Sequence, residues 1–187
     1  MSKQANLFGE ASGDEVLAIS GGFSGDQSGF ELDARTWYLR PKDPWNAVYR
    51  FNNEEDREFI ATFFEHAITN GYIGYDTSNR TSFFNQVTAL PTKDPSYVDQ
   101  NVETDCSALL YAALYCLTGI AWDYENDPNA DGYTHLHVRH IDYYLMNQLS
   151  SAGYDITKFE DDSHLYSSDY LMRGDVIKNV GHCGVWL

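Results

Sequence analysis

The apolar positions of this chain fall into four helical stripes and several short runs of strand character. Over residues 53–70, Phe59, Ile60, Phe63, Phe64, Ala67 and Ile68 recur at three- and four-residue spacing, behind acids in the first turn. Asn53 is the natural cap of that helix and Asn70-Gly71 its stop. A shorter helix is predicted over 78–89 around Phe83, Phe84 and Val87. A third, within 103–119, carries Leu109, Leu110, Ala113, Leu114 and Leu117 on one stripe, with Thr104 and Asp105 as candidate caps and Gly119 as stop. A fourth covers 138–151 on Val138, Ile141, Leu145 and Leu149. Strands are predicted at 15–20, 30–37, 45–51, 175–178 and 182–187, the last two joined by a turn at 179–181. Residues 1–14 are polar and glycine-containing and read as a mobile N-terminal arm, which leaves 15–187 as one domain without repeat or linker.

This order of elements predicts an α+β fold, an antiparallel sheet with the 103–119 helix packed on it. A length of 187 residues with 43% hydrophobic and 15% aromatic content suffices for one real core. The formal charge of -16 argues against nucleic acid as a partner, because phosphate binding needs clustered Lys and Arg. The same charge opposes an anionic cell wall at long range, although salt screens it beyond about 8 Å. Cysteines at 106, 116 and 183 match neither a disulfide framework nor a zinc pattern. Met1-Ser2-Lys3-Gln4-Ala5-Asn6 has no apolar core, so no secretory signal is expected, and no run approaches membrane-spanning length, so no membrane insertion is expected.

Cys106 falls in the first turn of the third helix, where unpaired N–H groups and the positive dipole end favour a thiolate. It is a candidate nucleophile; the plainer alternative is a core thiol, the reading that suits Cys116 deeper in the same helix. His182, opening the last strand, is the candidate base. Asp127-Pro128-Asn129-Ala130-Asp131-Gly132 matches the first half of a calcium loop, with Asp127, Asn129 and Asp131 as ligands. Val138 stands where the closing carboxylate belongs, though Asp123, Glu125 or Asp142 could substitute, and an acidic turn is the simpler reading. His135, His137 and His140 could ligate metal but read more simply as surface residues flanking a helix start. Trp37, Tyr38, Trp45, Tyr72 and Tyr75 could line a substrate groove, Trp37 and Tyr75 foremost, or equally be core.

Asp105-Cys106-Ser107 before an apolar helix, then Arg173-Gly174-Asp175-Val176-Ile177 and Gly181-His182, resembles the NlpC-type cell-wall cysteine peptidases and amidases. The resemblance is closest to bacteriophage endolysin catalytic domains of that superfamily. It extends to residues 25–29, 35–38, 44–45, 73–76 and 166–170, and covers most of the chain from about Ile19. Cys183 departs from it, standing where the family has a small polar or apolar residue. The resemblance implies a papain-like fold and hydrolysis of an amide bond in bacterial peptidoglycan. Cys106 is then the nucleophile, His182 the base and the Cys106 N–H an oxyanion donor, with no cofactor required. It further implies synthesis in the host cytoplasm, export through a separate holin, and action on the cell wall. In the family layout a third polar group, which orients the base, lies on a strand after the histidine strand. Five residues follow His182, so either the chain is cut short or the group comes from elsewhere; a circularly permuted arrangement is expected, in which residues 15–51 complete the sheet. Gln27 is then the first candidate for the third group and Asp26 the second, against the simpler reading that both only shape a turn. Two rival functions remain: a cysteine amidohydrolase acting on other amides, and a non-catalytic phage tail or wall-binding module of the same fold.

Overall fold

A computed structural model describes residues 7–11, 32–36 and 42–187. Their strands form a six-stranded sheet in which every neighbouring pair is antiparallel. In chain order these are β1 (Leu7–Ala11), β2 (Leu32–Thr36), β3 (Ala47–Phe51), β6 (Ile156–Phe159), β7 (Val176–Lys178) and β8 (Cys183–Trp186), and across the sheet they run β2-β1-β8-β7-β3-β6. Two further strands, β4 (Ile73–Tyr75) and β5 (Val102–Thr104), pair in parallel as a separate small sheet.

The β7–β8 hairpin lies at the middle of the large sheet, and N-terminal strands flank it on both sides, β1 against β8 and β3 against β7. β1 belongs to the stretch expected to be a mobile arm. That expectation is revised for residues 7–11: they pair with Trp186, Val185 and Gly184 on one side and with β2 on the other. A strand of five residues held by backbone pairing on both edges needs no strong side-chain pattern of its own. The predicted strand at 15–20 lies outside the described residues.

The central strands bury both faces, and side-chain alternation divides them. Tyr49, Phe51, Val176, Cys183 and Val185 join the main core on the helix side. Val48, Ile177 and Trp186 point the other way and pack with Trp45, Leu165 and Leu171 in a smaller cluster. On the helix side lie α1 (Glu54–Thr69), α2 (Ser82–Ala89) and α3 (Cys106–Thr118). Asn53 caps α1, its Oδ1 accepting from the N–H of Glu55 and of Asp56. Ile60, Phe63 and Phe64 are buried under that helix, each contributing roughly 1.5–3 kcal/mol.

The Arg-Gly-Asp segment before β7 is structural throughout. Arg173 forms paired bonds to Glu65 and also reaches Glu58, both on α1. Gly174 has φ +86°, and a Cβ there would lie 2.2 Å from the Arg57 carbonyl oxygen, so only glycine fits. Asp175 is fully buried and takes two bonds from the Arg50 guanidinium, at 2.8 and 2.6 Å.

The fourth predicted helix, here α4 over residues 138–149, is not uniform. It opens as a 3-10 turn (Val138–His140), passes through Ile141–Tyr143 and continues as a π segment (Tyr144–Leu149). Asp142 fastens it to the sheet, accepting from Tyr49 Oη, from Lys178 Nζ and, at 3.1 Å, from Lys158 Nζ. Burial opposes the charge of that carboxylate, but Lys178, Tyr49 and Lys158 outweigh it and hold its pKa below the usual range. The start of α4 is thereby held against the end of the sheet that carries Cys183. A short helix, α5 (Asp162–Tyr166), covers part of the opposite face.

Candidate active site

β5 runs directly into α3, with Asp105 as the single residue between them. Its extended backbone (φ -127°, ψ 179°) and its side chain make it the helix cap, Oδ1 accepting from the N–H of Ala108 at 2.7 Å. Cys106 is therefore the first helical residue, where a thiolate meets unpaired N–H groups and the positive dipole end.

Arg80 fixes this cap. Its buried guanidinium donates to Asp105 at 3.0 Å, to Ser107 Oγ at 2.7 Å and to the Leu136 carbonyl at 2.7 Å. The hydroxyl of Ser107 donates in turn to Asp105 Oδ1. The capping carboxylate beside the thiol is thus paired with a cation. A lone arginine between Asn79 and Thr81 carries no pattern by which the sequence could reveal this role.

Opposite the helix end, Asn179 shapes the turn that presents His182. Its Oδ1 accepts from the N–H of Gly181 and of His182, at 2.9 and 2.7 Å, its N–H donates to the His182 carbonyl, and its Nδ2 donates to the Asp43 carbonyl. The ring of buried Trp45 packs against the imidazole with centroids 6.1 Å apart. Trp45 is therefore core and a support for His182, not a groove residue.

The structure brings Cys106 within hydrogen-bonding reach of both His182 and Cys183. Hydrogen bonding from Cys183 is the largest influence on the Cys106 thiol; burial opposes it, and the bond and charge of His182 add to it. The result is a pKa lowered to about 5, so Cys106 is a thiolate at neutral pH. Burial, then the bond to Cys106, pushes the Cys183 thiol well up, so it stays protonated and acts as the donor. Burial alone governs the direction for Cys116, pushed up to about 11, as befits a core thiol. Cys183→Ala is accordingly expected to shift the midpoint of Cys106 alkylation by iodoacetamide upward from about pH 5, with the protein still folded. An unmoved midpoint would show that His182 alone holds the thiolate.

A cleft of about 420 Å³ opens over Cys106. Tyr75, at the end of β4, lines it, as do Arg80, Tyr133, His137 and Arg139. Trp37, Asp26 and Gln27 lie outside the described residues. A second hollow, about 450 Å³ between α1 and residues 92–95, shares no residue with the thiol's cleft.

Asp127 is buried and turned inward: Oδ2 accepts from Trp122 Nε1 at 3.0 Å and Oδ1 from the Asn129 N–H at 2.9 Å. The exposed Asp131 pairs with Arg139 at 3.4 Å, and no group of three His, Cys, Asp or Glu poised for a metal occurs among the described residues. The histidines differ from the surface reading. His140 is fully buried and stacked on Trp122 at 4.7 Å. Its Nδ1 accepts from the His137 N–H, its Nε2 lies 3.0 Å from both the Asn129 carbonyl and Arg139 Nε, and burial lowers its pKa. His137 forms part of the cleft wall, and only His135 is an ordinary exposed residue.

An antiparallel sheet with helices packed on one face, and a thiol at a helix start beneath a cleft, define an α+β domain. The chain belongs to the endolysin-like domain family, whose model matches residues 8–187. No curated protein and no solved structure matches it. Among the described residues no helix is long and apolar enough to cross a membrane.

Proposed function

We propose that this domain hydrolyses an amide bond of bacterial peptidoglycan by cysteine nucleophilic catalysis. The observation that carries the reading is the Cys106 thiolate, first in its helix, bonded by His182 and Cys183 and open to a cleft. Membership of the endolysin-like family supports the wall as substrate. The Cys106 sulfur attacks the carbonyl carbon, and the backbone N–H groups at the start of α3 stabilise the oxyanion. His182, protonated while it faces the thiolate, gives its proton to the leaving amine and then takes one from the water that releases the acyl group.

The flanking of the β7–β8 hairpin by N-terminal strands supports a circularly permuted, papain-like NlpC-type arrangement. On that reading the third polar group is Gln27, with Asp26 second. Gln27→Ala is expected to lower wall turnover by about 10²–10³ without a matching fall in melting temperature. Full activity in that variant would remove Gln27 from the machinery. Digestion of purified peptidoglycan by wild-type and Cys106→Ala protein, with the fragments sized by mass spectrometry, tests the reading as a whole.

A further inference from the structure

Two arginines line the cleft in a chain of formal charge -16. Its wall runs from Arg80 through His137 and Tyr133 to Arg139. Arg80 Nη1 lies 3.1 Å from His137 Nε2, the His137 and Tyr133 rings meet edge to face at 4.5 Å, and the Arg139 guanidinium sits over the Tyr133 ring at 4.7 Å. Asp105, the acid of the lining, is buried and committed to Arg80. Arg139 is different. It projects to solvent with 44% of its side chain exposed; its Nε lies 3.0 Å from His140 Nε2, while its Nη1 bridge to Asp131 spans 3.4 Å between two exposed groups, which holds the outer end of the guanidinium weakly. Burial, and next the charge of Arg80, lower the His137 pKa, so the charge of this wall rests on its arginines.

We propose that the Arg139, His137 and Tyr133 wall is a carboxylate subsite, which holds a peptide substrate by a free carboxylate adjoining the amide that Cys106 attacks. The guanidinium fork matches a carboxylate with two parallel bonds, and Tyr133 beneath it fixes the plane of the fork. The position of the amide rests on the reading of Cys106 as nucleophile; the carboxylate contact itself can be measured by binding alone.

The experiment uses the full chain as Cys106→Ala, which leaves the wall uncut. Retention is compared on purified peptidoglycan sacculi and on the same sacculi with carboxylates converted to N-methylamides by carbodiimide and methylamine. The subsite predicts about tenfold weaker retention on the methylamide wall. Charge repulsion alone predicts the opposite, because a chain of charge -16 is repelled less by a neutralised wall. Arg139→Gln in the same background should lose the preference for the untreated wall, and Arg139→Lys should restore part of it. Equal or tighter binding to the methylamide wall, or a preference that survives Arg139→Gln, overturns the subsite while leaving the wall reading intact. Retention on neither wall overturns the wall reading and the subsite together.

Discussion

Cys106→Ala and Cys106→Ser are expected to lose wall lysis by about 10⁴-fold or more, while the folded protein should melt within a few degrees of wild type. The size follows from the role: without the nucleophile no acyl-enzyme forms, and what remains is the contribution of binding and the oxyanion donors. The retained stability follows from the environment. Cys106 stands at the helix start, where the cap is Asp105, itself fixed by Arg80 and Ser107, and none of these contacts uses the sulfur. Removing a thiolate from a buried position also removes the cost of burying its charge. In the wild type, activity should rise with pH through about 5 as the thiolate forms, provided His182 is still protonated. A Cys106→Ala protein that still lyses walls, with Cys183→Ala inactive, would show that the neighbouring thiol is the nucleophile.

Arg50→Met is expected to cost about 3–5 kcal/mol, because it leaves the Asp175 carboxylate fully buried without its cation. For a chain of 187 residues this corresponds to a fall in melting temperature of roughly 10 °C. Asp175 also accepts from the Met172 N–H, and Arg50 donates to the Tyr170 carbonyl, so the pair binds β3 to the approach to β7. The double variant Arg50→Met/Asp175→Leu should recover most of the loss, since neither charge is then stranded. Thermal melts of the single and double variants check this. A single variant as stable as wild type would mean that water reaches Asp175 and the pair contributes little.

The site was legible in the sequence where local patterns carried it. The apolar stripe of α3, an Asp-Cys-Ser start and a Gly stop locate Cys106 at a helix N-terminus, and the Gly-Asp turn before two apolar runs locates the hairpin that bears His182. Long-range contacts left no such trace. Arg80 acts through Asp105 and Leu136, residues far along the chain in a direction no periodicity indicates. Three-residue strands such as β4 and β5 are too short for alternation to show, yet β5 sets the angle at which Cys106 enters its helix. His140 looked like surface because polar residues surround it, and only the fold stacks it on Trp122 and satisfies both ring nitrogens. The Arg-Gly-Asp segment was read as a family mark; its physical content is two ion-paired residues and one position where a Cβ does not fit.

The most direct test of the central claim is the mass of the fragments released from purified peptidoglycan. Cysteine amide hydrolysis predicts fragments with one new amine and one new carboxyl end, each cut adding one water, with no increase in reducing sugar ends, and none of these from Cys106→Ala. New reducing ends, or an undigested wall with fully folded enzyme, would contradict it.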